Sequence, residues 1–416
     1  MATQIGAAAR KWQTAAAWRL GLLSAALFAP VGLHMPYFPV WLAARGLSDA
    51  EIALTLAVPL VLRVALTPAI AFVADRQGIA ATLVCCAAAV LGGYVGLAFV
   101  AGFPPIFAIS VLVIAAQGSM PALADALSLA EIRRFAKLGL ASIQFGRVRV
   151  GGSLSFLFVA LLSGAIVSVL PGDRIIFGLA ALSLLPVAAA GVAMLRMAKL
   201  RPEHAAQSGF TQARADRGLA ITVILAAALV QASHAEFYAF GTLHWKAIGL
   251  SPGFIALAWA TGVIAESILF VSGSRFLGSE RNALAFLILG AAGAVLRWTA
   301  MSLEPATVLI LPLQILHAAS FAATYIGAVL FLGALAGPRH RARMQGFSSA
   351  AMALSMALAT LAAGRLTSAF GQVAYLAMAG LALVGLVLAL AAAARWSQRG
   401  TAGTSKIRLA RVEPEQ

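Results

Sequence analysis

The chain has 416 residues, 62% of them hydrophobic and 11% charged, where soluble domains average about 45–50% and about 25%. That composition excludes a soluble globular enzyme and points to an all-α polytopic membrane protein. The formal net charge of +16 is not a nucleic-acid surface, because no basic stripe is interleaved with aromatic residues.

Hydropathy divides the chain into twelve transmembrane helices with both termini cytoplasmic. In that reading Arg45, Arg174 and Lys246 are the cations left in outside segments, and most of the rest fall in inner loops and tails. This asymmetry is the positive-inside pattern and sets the orientation. The expected organisation is a six-helix bundle over 1–197, a polar cytoplasmic linker over 198–217, a second six-helix bundle over 218–394 and a disordered basic tail over 395–416. Cys85 and Cys86 adjoin each other in an apolar helix and read as packing residues, with no metal-ligand spacing.

Residues 1–15 read as a short basic tail. The first span, about 16–43, holds Pro30, Pro36 and Pro39 around His34, Tyr37, Phe38 and Trp41. Prolines in a span imply a bend beside a cavity that satisfies the freed carbonyls. His34, Phe38 and Trp41 share one helix face, and Trp41 reads as an interfacial aromatic. The second span, about 50–73, has Arg63 at mid-depth and ends in Ala71-Phe72-Val73-Ala74-Asp75-Arg76-Gln77-Gly78. The third carries Gly92 and Gly96, spaced for close helix contact. The fourth shows a polar stripe of Gln117, Pro121, Asp125 and Ser128. The fifth opens with FGRVRVGGS at 145–153. Asp125 and Arg149 lie at matched depth on antiparallel neighbours, so an ion pair is expected, either structural or substrate-binding.

The seventh span carries Gln231, His234 and Tyr238 on one face, with Glu236 turned away. The eighth has Trp259, Gly262 and Glu266, the ninth Arg297, and the tenth Gln314, His317, Phe321 and Thr324. Counted at 1.5 Å per residue, His234, Glu266 and His317 converge near the midplane, with Arg297 long enough to reach them. An ionisable group at that depth costs roughly 2.5–3.5 kcal/mol on the insertion scale, so such groups face a partner or a cavity. For His234 a plain helix–helix hydrogen bond is the alternative. GPRHRAR at 337–343 reads as a basic inner loop, and Arg365 as a snorkelling cation.

A repeat ties the two halves together. GLSDAEIAL at 46–54 returns as GLSPGFIAL at 249–257, about 200 residues later, and each copy follows a Trp, Trp41 or Trp245. Two like halves are the mark of a secondary transporter.

The segments PYFPVWLAARGLS, PALADAL, FGRVRVGGS, QASHAEFYAFGTLHW, ATGVIAE, VLRW and LQILHAASF together resemble the major facilitator superfamily, and its phenylpropionate permease-like branch more closely. The resemblance covers nearly the whole chain. It identifies Asp75, Arg76 and Gly78 as a worn gating-loop motif, with Ala71 replacing the first Gly. Lactose permease-type proton symporters, which belong to the same superfamily, place an acid on helix 4, FGRxR on helix 5, Glu on helix 8, Arg on helix 9 and His on helix 10. Asp125, Arg149, Glu266, Arg297 and His317 match these by motif. The resemblance implies substrate binding by the helix 4–5 pair and proton handling by the later cluster. Two departures stand out: Asp125 is one methylene shorter than Glu, and Phe321 occupies the turn after His317 where the sugar symporters carry a second acid.

The resulting expectation is a proton-coupled importer of a small organic solute, first an aromatic acid such as phenylpropionate, working by alternating access in a bacterial inner membrane. Glu266, Arg297, His317 and Glu236 are the proton-coupling candidates. Asp125, Arg149, His234, Phe38 and Trp259 are the substrate-binding candidates. A sugar or nucleoside symporter, an exporter, or a non-transporting receptor or assembly factor on the same scaffold are the other readings. No metal or cofactor is expected beyond the proton gradient, and the expected partners are solute, protons and lipid, with the chain a monomer.

Overall fold

The computed structural model describes residues 2–137, 145–197, 216–273 and 280–409. Among the described residues thirteen α-helices follow one another: α1 Ala2–Ala44, α2 Asp49–Gln77, α3 Ile79–Phe99, α4 Phe103–Lys137, α5 Phe145–Val169, α6 Ile175–Met197, α7 Arg217–Ala232, α8 Thr242–Ala247, α9 Pro252–Gly273, α10 Glu280–Ser302, α11 Thr307–Ile315, α12 Thr324–Phe370 and α13 Tyr375–Leu409. Among the described residues 11 segments are long and apolar enough to cross a membrane. The last of them, Arg343–Gln398, is 56 residues long. One crossing takes about 20 residues, and a 3₁₀ turn at Gly371–Ala374 divides this segment, so it holds two spans and twelve result. Large apolar side chains such as Leu22, Phe99, Leu195 and Val271 lie on the exterior, as a lipid-facing surface requires.

Local chemistry explains why GLS occurs twice. Gly46 and Gly249 both adopt φ +82°, the left-handed conformation that ends a helix without a Cβ clash. Leu47 and Leu250 then donate their N–H back to Leu42 O (3.2 Å) and Trp245 O (2.9 Å). The serine that comes next caps the following helix: Ser48 Oγ accepts from Glu51 N and Ser251 Oγ from Phe254 N, satisfying an N–H the helix itself leaves open. In the first copy Glu51 also accepts from Ser48 N at 2.9 Å, completing a capping box.

Contacts group the chain into two units. The first comprises Met1–Gln207, Phe237–Ala260 and Thr360–Ala369; the second comprises Ser208–Glu236, Thr261–Ala359 and Phe370–Gln416. In the first, α1 packs on α5 and α6, α3 on α4 and α6, and α2 on α4. In the second, α13 packs on α7 and α10 around a core that includes Leu219, Val223, Leu287, Phe331 and Leu332.

Several expected boundaries move. Helix begins at Ala2, within the residues read as a tail, and α12 runs unbroken through 337–343, where an inner loop was expected. Ala334, Leu335, Ala336, Arg339, Arg341 and Ala342 are all strong helix formers, which outweigh a single Gly-Pro step. The tail expected to be disordered is helical to Leu409. Most of the 198–217 linker lies outside the described residues.

Candidate functional site

Among the described residues two of the spans are interrupted by π-helical turns. After α7 the chain makes a turn at Ser233 and His234, then a π-helical turn at Phe237–Gly241. After α11 it makes a matching turn at Leu316 and a π-helical turn at Ala318–Ala323. A π turn adds a residue to the helix and rotates the side chains beyond it, a device found mostly at functional positions. His234 stands at the first break and His317 at the second.

In the second unit these breaks aim a set of polar side chains inward. Arg297 from α10 is fully buried. It donates from NH2 to Gln314 Oε1 at 2.6 Å, and from NH1 to His317 Nδ1 at 3.0 Å and to Ser320 Oγ at 3.3 Å. Its guanidinium also lies 4.4 Å from the centre of the Trp298 ring, a favourable cation–π arrangement. On the far side of the imidazole, His317 Nε2 is 3.0 Å from Glu266 Oε2. Gly262, one turn before Glu266, lies beside His317: a Cβ there would stand 3.4 Å from His317 Cβ, in ordinary contact.

The donor inventory assigns the tautomers. A guanidinium has no acceptor, so His317 Nδ1 accepts with its lone pair and the ring proton sits on Nε2, donated to Glu266. His234 Nδ1 faces two carbonyls, Val230 O and Gln231 O, each at 3.2 Å, so Nδ1 carries the proton. Its Nε2 then accepts from Ser320 Oγ at 3.1 Å, which leaves the serine lone pairs for Arg297. One cation thereby orients both histidines. Protonating His317 at Nδ1 would expel Arg297. Protonating Glu266 would disturb nothing, because its carbonyl oxygen still accepts from Nε2.

Glu236 is buried, with 2% of its surface exposed. It and Arg297 both act electrostatically on Tyr375, which stacks on Trp298 at 5.6 Å. His234 meets the same indole edge-on at 5.0 Å, and Trp298 Nε1 donates to Ser233 Oγ at 2.8 Å.

In the first unit, Arg149 NH1 and Asp125 Oδ2 meet at 2.6 Å, the Arg149 side chain half exposed and the Asp125 side chain one-third exposed. Nearby on α4, Gln117 Oε1 accepts from Tyr94 OH at 2.9 Å, and Tyr94 OH contacts His34 Nδ1 at 2.8 Å. Phe38 stacks on His34 at 4.5 Å and is itself fully buried. Trp259 is also buried, stacked on Phe237 at 4.6 Å, with Nε1 donating to Thr242 Oγ1 at 2.9 Å. Asp75 and Arg76 close α2, and Gly78, at φ 99°, donates to Ala74 O and turns the chain into α3. The Arg76 guanidinium stacks over Phe72 at 4.2 Å.

Sequence reasoning passed over Ser320, Tyr94, Ser233, Thr242 and Tyr375. Each is a small polar group or phenol in apolar surroundings. The available signal was the rule that a buried histidine or indole needs a hydrogen-bond partner close by.

The MFS_1 like family model matches residues 17–377. A protein of Escherichia coli (strain K12) described as "Probable 3-phenylpropionic acid transporter" is 27% identical over 369 residues, 87% of this chain and 94% of that protein. The crystal structure of the nucleoside transporter NupG superposes with a TM-score of 0.75 at 18% identity, covering 91% of this chain and 98% of that one. An inward-facing, occupied bacterial homolog of the human lysosomal transporter Spinster superposes with a TM-score of 0.67 at 15% identity, covering 92% and 97%. These two likenesses are of fold.

Proposed function

The chain belongs to the MFS_1 like family and is a multi-pass membrane transporter, and from that premise we propose that it takes up a small aromatic carboxylate together with a proton. The observation that carries the reading is the Arg297–His317–Glu266 line. It places an acid that can change charge next to an imidazole whose orientation a buried cation fixes. Burial disfavours a carboxylate's charge and an approaching cation favours it, so Glu266 can take a proton in one conformation and lose it in the next. His317 relays that change to Arg297. The E. coli relative supplies the first solute to test, 3-phenylpropionate.

In this reading the protein works by alternating access in a bacterial inner membrane, the basic loops inside. A proton enters from outside, Glu266 is neutralised, solute binds, and both leave inward. The test is uptake of labelled 3-phenylpropionate into proteoliposomes with an imposed pH gradient. Accumulation that collapses when a protonophore is added supports the reading. Uptake indifferent to the gradient excludes proton coupling, and uptake of uridine or a sugar in place of the acid excludes the solute class.

A further inference from the structure

Arg63 has no role in the scheme above. It lies midway along α2, 14 positions from either end of Asp49–Gln77. At 1.5 Å per residue that is roughly 21 Å from each helix end, too far for its side chain to snorkel to an interface. A cation held at that depth faces the protein interior or a water-filled cavity. Arg63 is partly buried, and among the described residues it makes no hydrogen bond and no ion pair.

Gly118 on α4 leaves the space that the Arg63 side chain occupies. A Cβ built there would stand 2.9 Å from Arg63 Cδ and 3.2 Å from NH1, so the arginine lies flat across the helix where a side chain is missing. Gly118 and Asp125 are seven residues apart and share one face of α4. Two turns from Gly118, then, Arg149 already has its acid, whereas Arg63 faces none. Gln117, the neighbour of Gly118, anchors the Tyr94–His34 hydrogen bonds and the Phe38 ring stacked on them. At this level of the first unit an unpaired guanidinium therefore lies one residue along α4 from a buried cluster of neutral polar and aromatic groups.

We propose that Arg63 binds the carboxylate of the transported solute, and that Gly118 is the gap that lets its guanidinium take position. The proposal rests on the reading of the protein as a carboxylate transporter. A planar guanidinium can hold a carboxylate through two parallel hydrogen bonds, and a solute anion supplies the charge that the protein withholds.

The test uses the full chain in proteoliposomes, with labelled 3-phenylpropionate as probe and the neutral 3-phenylpropionamide as competitor. Wild type should prefer the acid to the amide. Arg63→Gln should raise the KM for the acid at least about tenfold, in line with the loss of hydrogen bonds to a charged group, and should abolish the preference. Gly118→Ala should raise the KM in the same direction, because its methyl must displace the guanidinium. Arg63→Cys gives a second route that does not depend on the glutamine variant folding. Its uptake should return after modification with a cationic thiosulfonate and not with a neutral one of the same size. A folded Arg63→Gln that still prefers the acid overturns the proposal and leaves the transport reading intact, as does equal rescue of Arg63→Cys by both reagents. A wild-type protein that carries uridine and ignores the acid overturns the transport reading's solute class, and this proposal with it.

Discussion

Glu266 and His317 meet at 3.0 Å through Oε2 and Nε2, and the bond between them has one direction. Arg297 occupies Nδ1 of the same ring, so the imidazole can only donate toward the carboxylate. Under the proposed proton coupling, Glu266 is therefore the member of the pair that takes up the proton.

Glu266→Gln mimics the protonated acid and keeps an oxygen for His317 Nε2. Exchange of solute across the membrane should survive at near wild-type rates, since exchange needs no proton release. Accumulation driven by a pH gradient should fall to background. Glu236→Gln should retain accumulation if Glu236 lines the interior beside Tyr375 without carrying the proton. The two assays on the two variants decide the point, and the opposite pattern would move the proton to Glu236.

The repeat and the depth of the acids were legible in the sequence for separate reasons. Gly46 and Gly249 carry their turn chemistry locally, so a motif search finds them. Glu266, Arg297 and His317 announce themselves because charge at bilayer depth is expensive. The faces of the seventh and tenth spans were not legible, since counting at 3.6 residues per turn fails across the π turns at Phe237–Gly241 and Ala318–Ala323. Ser320 illustrates the other blind spot. A serine in an apolar run reads as filler until its contacts with Arg297 and His234 are known.

Arg297 serves three acceptors from one planar group, a geometry that a lysine ammonium does not reproduce. Arg297→Lys should keep the charge and still lower uptake at least about tenfold, because one ammonium cannot hold Gln314, His317 and Ser320 in place together. Removing the charge altogether, with Arg297→Gln, should destabilise the protein by about 1–3 kcal/mol for each buried acceptor left without a donor. Thermal unfolding of both variants in detergent, set beside their uptake rates, separates the two effects. Equal transport by wild type and Arg297→Lys would remove Arg297 from the mechanism.

Asp125 and Arg149 make a different case, because Arg149 is half exposed. A pair that open contributes only about 0–1 kcal/mol to stability. Arg149→Ala and Asp125→Ala should each express and melt close to wild type. If the pair serves only to hold α4 against α5, the double variant should transport normally. If Arg149 contacts solute, the double variant should be as inactive as Arg149→Ala. Normal uptake by Arg149→Ala alone would exclude the solute-binding role.

The repeated unit sets up the last prediction. A Cβ on Gly164 of α5 would stand 2.8 Å from Pro252 O and 3.0 Å from Ala256 Cβ at the start of α9. A Cβ on Gly364 of α12 would stand 2.8 Å from Asp49 O and close to Ala53 Cβ at the start of α2. Pro252 and Ala256 hold the same places in GLSPGFIAL that Asp49 and Ala53 hold in GLSDAEIAL, so one seat is built twice, both times within the first unit. The neighbours include backbone oxygens fixed by helix starts, which cannot give way as the tip of a side chain could. Gly164→Val and Gly364→Val should each therefore hold this end of the transporter apart. A cysteine introduced at Ala50 or Gly253 should react faster with a membrane-impermeant maleimide in either variant, and net uptake should drop at least about fivefold, a barrier rise of roughly 1 kcal/mol. The double variant should react no faster than the stronger single one if both seats close in a single step. Unchanged labelling in both single variants would mean that the two glycines serve packing alone.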